Sequence, residues 1–159
     1  LAVTLTTFKI FNEFLGDYWD KRQLFHGHPF TGHPVGCTAA LTNLALYEKV
    51  NLIRKIRINS LVLDRLLKRF AELDICYDIR NKGLLCGIEL RKENKPIKMI
   101  DKVPIGQYIA RESLKKGVYL RTLGNIITII PPLAIRKEDL TKIVDTEYQI
   151  VEKIQQKIR

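Results

Sequence analysis

Two short apolar segments, VYLR (118–121) and IITII (126–130), flank a Gly124-Asn125 turn, and Pro131-Pro132 ends the second. Gly-Asn is a two-residue hairpin signal, because glycine takes the positive φ that a type II′ turn demands. An earlier pair, ICYDIR (75–80) and GLLCGIEL (83–90), is separated by Asn81-Lys82. In its second member Leu84, Cys86, Ile88 and Leu90 alternate and would share one face. Between the pairs, Pro104 starts and Gly117 ends a helix of about three turns. A last helix is expected from near Lys137, with Glu138 and Asp139 at its positive end. Its apolar stripe is Leu140, Ile143, Val144, Val151, Ile154 and Ile158. The order from residue 74 is thus β-β-α-β-β-α. Hairpins covered by helices point to an α+β unit with a mainly antiparallel sheet.

Residues 1–73 have a different texture. AVTLT (2–6) reads as a strand end, and TFKIFNEFL (7–15) as a helix stopped by Gly16. Residues 17–33 read as a loop. Pro34 suits the first position of a helix, and 34–73 reads as one long or bent helical arm. Asn51 is its internal cap, and Leu52, Ile56, Leu63, Leu66, Leu67 and Phe70 its apolar stripe.

The bulk composition narrows the class. With 46% apolar and 28% charged residues, the 159-residue chain reads as folded rather than disordered. Its net charge of +10 reads first as a solvated basic surface and second as an attraction for anionic substrates or polyanions. The basic residues at 54, 55, 57, 65, 68 and 69 alternate with apolar ones, as on a solvated helix face, and build no nucleic-acid arm. Cys37, Cys76 and Cys86 are too few and too scattered for a disulfide framework, so a cytoplasmic setting is expected. No signal peptide or membrane span is read. The chain begins with Leu1, which suggests a piece of something longer.

All three histidines fall in FHGHPFTGHPVGC (25–37). His26, His28, His33 and Cys37 supply four N/S groups that could hold zinc, but their spacing matches no common zinc module. A turn with exposed imidazoles is the plain alternative. A third reading is an anion-approach loop, in which Gly27 and Gly32 let backbone near a ligand at a helix N-terminus. The residues alone leave these three open.

HGHPFTGHPVGCTAALTNLALYE (26–48) resembles the HGH-[Ser/Thr]-[Tyr/Phe]-TGNP-x-x-C-x-x-AL-x-x-L-x-x-x-E segment of class III, fold-type-I pyridoxal-phosphate aminotransferases. LAVTLTT (1–7), IRNKGLLCGIEL (79–90) and GVYLRTLGNIITIIPPLAI (117–135) are similar to further segments of that family, in the same order. Within it, the likeness is to the branch that serves biotin biosynthesis.

The resemblance implies a transferase that works as a homodimer on small molecules, with no nucleic acid or membrane partner. Its cofactor is pyridoxal 5'-phosphate, and it moves an amino group from S-adenosylmethionine to 8-amino-7-oxononanoate. Another class III (omega-amino acid) aminotransferase, or a non-catalytic interaction module, is the alternative.

By the same resemblance the fold class is α/β, with α+β in the C-terminal part: residues 1–45 are the remnant of a large cofactor-binding domain, 46–73 a linking helix and 74–159 the small C-terminal domain. The family's Schiff-base lysine lies upstream of the LAVTLTT segment. No catalytic residue is therefore assigned, and this chain alone is expected to be inactive. Gly27 and Arg121 take substrate-binding positions, Arg121 gripping a carboxylate with its planar fork. His28 and Pro29 take the cofactor-phosphate positions, reached across a subunit boundary. No metal is assigned. Three departures stand out: Pro29 replaces a Ser or Thr, His33 an Asn, and Thr122 a Pro. Pro29 supplies neither a hydroxyl nor an N–H.

Overall fold

The computed structural model describes residues 1–158. The chain divides into two compact units, Leu1–Val50 and a second that begins at Asn51.

The first unit holds helix α1 (Phe8–Asn12), a 3-10 turn (Tyr18–Asp20) and helix α2 (Pro34–Lys49). The Thr7 hydroxyl caps α1 by accepting from the Ile10 N–H. The expected strand over 2–6 does not form. A strand needs a neighbour to satisfy its backbone, and this unit contains no other. No residue of this unit is buried. The apolar residues of α2 carry no one-sided stripe, and Val35, Leu41 and Leu44 all face solvent.

The arm expected over 34–73, long or bent, is two helices that meet at the expected Asn51. Asn51 sits in the left-handed region at φ 48°, and its side chain makes no cap hydrogen bond. Asparagine tolerates that conformation better than most residues, so the chain breaks there. Helix α3 (Leu52–Leu67) follows and tightens into a 3-10 turn (Lys68–Glu72).

The second unit has the fold its patterns require. Strands β1 (Cys76–Lys82) and β2 (Leu85–Lys92) form the first hairpin. Its turn lies at Gly83-Leu84, two residues beyond the expected Asn81-Lys82, because Gly83 alone takes the positive φ (63°). Lys82 and Leu85 face each other across it. A two-residue strand β3 (Lys95–Pro96) adds to β2, and β4 (Met99–Ile100) pairs with β5 (Val103–Pro104). Helix α4 (Ile105–Lys115) follows Pro104 directly, and Gly117, at φ 74°, turns the chain away just past its Lys116 C-cap.

Strands β6 (Arg121–Leu123) and β7 (Ile126–Ile129) make the second hairpin around Gly124, φ 59°. The main path of the antiparallel sheet is β1-β2-β7-β6. Helix α5 (Lys137–Ile158) closes the unit.

One face of the sheet contributes Cys86, Ile88, Leu90, Ile127 and Ile129 to the core. Leu63, Leu67 and Phe70 from α3 and its extension, Ile105 and Ile109 from α4, and Leu140, Val144, Val151 and Ile154 from α5 complete it. Phe70 meets Tyr148 edge to face at 5.4 Å. The opposite face of the sheet carries the polar residues and is open.

Candidate functional site

Residues 26–33 form a tight, exposed loop that folds on its own hydrogen bonds. The Thr31 N–H donates to the His28 carbonyl at 2.8 Å, and the His28 N–H donates to the Thr31 hydroxyl oxygen at 3.2 Å. The Phe30 N–H donates to Nδ1 of His28 at 3.2 Å. Gly32, at φ 69°, then turns the chain toward α2.

His33 is the N-cap of that helix, and its Nδ1 accepts the Gly36 N–H at 3.3 Å. The imidazole thus does the work expected of the asparagine it replaces, which is to offer an acceptor to a free helix N–H. The rings of His28, Phe30 and His33 lie 5.7 and 5.8 Å apart in succession.

These bonds fix what the loop can offer. A neutral imidazole that accepts through Nδ1 carries its proton on Nε2. His28 and His33 are therefore Nε2–H donors. The Thr31 oxygen accepts from His28, and its hydrogen is left to donate. Pro29 offers nothing. A loop with two imidazole N–H groups, one hydroxyl and no carboxylate fits a phosphate. Sequence reasoning missed Thr31, although a Thr can bond backbone three residues before it, which is its spacing from His28. Among the described residues, no three His, Cys, Asp or Glu side chains converge as a metal site would require.

Arg121 belongs to the second unit. It opens β6 opposite Thr128 of β7, and the Thr128 hydroxyl donates to the Arg121 carbonyl. The pairing places Arg80, Gly87, Thr128 and Arg121 in one row across the four strands, on the open face. Arg80 is neutralised by Asp78 at 3.3 Å and Glu89 at 3.9 Å. Arg91 also holds Glu89, at 2.7 Å, which keeps that carboxyl below its ordinary range. Among the described residues no carboxylate pairs with Arg121, and it is exposed. Gly87 and Thr128 beside it are small and leave a low floor. The arrangement is an unneutralised guanidinium at the edge of an open sheet, suited to a carboxylate.

The hairpin that presents Arg121 is braced from two sides. The Asn125 side chain donates to the Leu90 carbonyl at 2.8 Å, and the Leu90 N–H donates to the Asn125 carbonyl at 3.0 Å. On the other side α4 approaches through Gly106. A Cβ at Gly106 would stand 2.8 Å from the Gly124 carbonyl and closer still to the Thr122 hydroxyl. Thr122, a departure from the family pattern, thus seats the hairpin on α4. Gly27, His28 and Pro29 lie in the first unit and Arg121 in the second, each held by its own unit's bonds.

The cysteines offer no nucleophile in the second unit. Burial pushes the Cys76 and Cys86 thiols up to about 12, so both stay protonated at neutral pH.

Comparison with known proteins supplies the family. The class-III aminotransferase family model matches residues 1–151. The adenosylmethionine-8-amino-7-oxononanoate aminotransferase of Methanocaldococcus jannaschii is 36% identical over 157 residues, covering 95% of this chain and 33% of the relative. The enzyme of the same name from Geobacter sulfurreducens is 38% identical over 146 residues, covering 91% and 32%. The crystal structure of the M. jannaschii enzyme superposes with a TM-score of 0.83 at 34% identity, over 93% of this chain and 34% of that one. The chain thus spans about a third of the length of the curated relatives it matches. With four motifs in order, the antiparallel sheet in place and nearly the whole chain matched, the protein belongs to the class-III aminotransferase family.

Proposed function

We propose that these residues form the C-terminal third of a pyridoxal-phosphate-dependent aminotransferase of biotin biosynthesis. The reaction converts 8-amino-7-oxononanoate to 7,8-diaminononanoate with S-adenosylmethionine as amino donor. The observation that carries this reading is Arg121, an unpaired guanidinium on the open sheet face in a hairpin built to hold it. It supports a substrate with a free carboxylate, which 8-amino-7-oxononanoate has.

Each residue then has a role. Arg121 binds the substrate carboxylate and sets the distance of the keto carbon from the chemistry. Gly27 gives the substrate chain a side-chain-free approach. His28 and Pro29 stand at the cofactor phosphate, where His28 Nε2–H and the Thr31 hydroxyl supply the donors that Pro29 lacks. When bound, pyridoxal phosphate supplies the electron sink for amino transfer.

The loop serves the neighbouring subunit of a homodimer, which accounts for a unit with exposed apolar residues and no core of its own. Residues 1–45 belong to the large domain, 46–73 link, and 74–159 are the small domain, all in a cytoplasmic enzyme. No lysine here matches the Schiff-base position, so the 159 residues alone do not turn over.

The test is amino transfer by the longer polypeptide that carries this segment. The expected result is diaminononanoate formed from S-adenosylmethionine, with a raised KM for the keto acid after Arg121→Ala. Transfer from omega-amino acids, with S-adenosylmethionine inert, would assign it instead to the other class III branch. An unchanged KM in Arg121→Ala would remove the carboxylate role.

A further inference from the structure

The interface between α4 and α5 contains a charged residue type where the stripe is otherwise apolar. Glu147 of α5 and Ser113 of α4 are both fully buried, at 0% exposure. The Ser113 oxygen lies 2.8 Å from Glu147 Oε1 and also 2.8 Å from the Ile109 carbonyl. A hydroxyl has one hydrogen and cannot donate to both. Oε2 of Glu147 is buried without a hydrogen-bond partner.

The hydrogens balance in only one protonation state. If the carboxyl is neutral, its Oε1–H donates to the Ser113 oxygen, and the Ser113 hydrogen goes on to the Ile109 carbonyl. Every short contact then has one hydrogen. If the carboxylate is ionised, the Ser113 hydrogen must leave Ile109, and a dry Oε2 shares an uncompensated charge.

Among the described residues, no counter-ion is in contact with Glu147. Lys116, just past the end of α4, pulls on the carboxylate from a distance, but its ammonium is bonded to Gln149 at 2.5 Å. Glu112 of α4 is taken by Lys115 and Lys153. Asp145 of α5 pairs with Arg69 beyond α3. Among the described residues, no fully buried polar or charged side chain comes from the sheet or α3.

We propose that Ser113 and Glu147 form a proton-held clasp between α4 and α5, closed when Glu147 is neutral and opened by its ionisation. Since α4 also seats the β6–β7 hairpin through Gly106, the clasp sets how firmly that hairpin is backed. Burial raises the Glu147 carboxyl from 4.5 to about 7. The folded chain therefore holds this proton roughly 300-fold more tightly than the unfolded chain. The clasp's stabilisation is fully present below the unfolded value. It declines as pH rises toward about 7 and is gone above it.

Two measurements on the whole chain test this. Carboxyl-carbon NMR should show Glu147 titrating near neutrality, well above the other glutamates. Thermal unfolding of wild type and Glu147→Gln should give a midpoint difference that grows in the variant's favour from pH 5 to pH 8. The amide N–H of the glutamine replaces the acid proton. A Glu147 midpoint in the ordinary carboxylate range would overturn the clasp, and so would a pH-independent difference between the two proteins. If Glu147→Gln does not fold, the wild-type titration alone decides.

Discussion

Replacing Gly106 with alanine places one methyl group between α4 and the hairpin that carries Arg121. The added carbon would sit 2.8 Å from the Gly124 carbonyl and 3.2 Å from the Thr122 Cβ, with the Thr122 hydroxyl nearer than either. Carbon–oxygen contact begins near 3.4 Å, so the two elements must part by roughly half an ångström. The Gly124 carbonyl is backbone, tied through Asn125 to β2, and cannot swing aside as a side chain would. Overpacking of this kind costs about 1–3 kcal/mol. Alanine's better helix preference returns about 0.5–1 kcal/mol. The two ranges leave a net loss centred near about 1 kcal/mol and reaching about 2.5 kcal/mol, and the central value lowers Tm by ~4–8 °C for a domain of roughly 100 residues. Thermal unfolding followed by circular dichroism reads it, and amide shifts at 121–125 locate it. Adding Thr122→Ala removes the hydroxyl but not the carbonyl, so rescue should be partial. A Gly106→Ala protein as stable as wild type, or more so, would refute the claim that α4 braces the hairpin.

Other outcomes follow from the same geometry. Pro29→Ser should tighten pyridoxal phosphate binding by the longer enzyme about tenfold or more, since it restores donors worth ~1.5–3 kcal/mol each to a charged acceptor; equilibrium dialysis measures it. Arg121→Ala should raise the keto-acid KM by roughly 10–100-fold with little change in cofactor affinity, the loss of one charge-assisted pair. Iodoacetamide at pH 8 should label half-exposed Cys37 and spare Cys76 and Cys86, whose thiols are held near 12, until denaturant is added. Ile88→Ala, at a fully buried central position of β2, should cost about 2–5 kcal/mol in urea unfolding.

The second unit was legible because its signals were redundant. Leu84, Cys86, Ile88 and Leu90 alternate, and all four are buried. Gly124 and Gly117 sit where positive φ is required, and Pro104 immediately precedes α4. The first turn was misplaced by two residues because Asn81-Lys82 is polar, whereas the backbone demand fell on Gly83. The junction at Asn51 was legible from its residue type, but not its mechanism: the backbone enters the left-handed region there and the side chain makes no cap hydrogen bond.

The site was legible only through motif likeness. Nothing in spacing reveals that His33 caps α2 through Nδ1 or that Gly106 admits the hairpin. Those facts depend on neighbours brought together by folding. Glu147 and Gln155 likewise sit at stripe positions of α5 that an apolar pattern passes over, yet both are buried.

The loop at 26–33 is proposed to meet a cofactor phosphate, in a segment proposed to lack the lysine that the chemistry needs. Incubation of the purified 159-residue chain with pyridoxal phosphate, borohydride reduction and peptide mass spectrometry addresses this directly. The predicted result is no stoichiometric pyridoxyl adduct at any one lysine and no diaminononanoate from S-adenosylmethionine and 8-amino-7-oxononanoate. A single lysine labelled to completion, together with amine transfer, would contradict it.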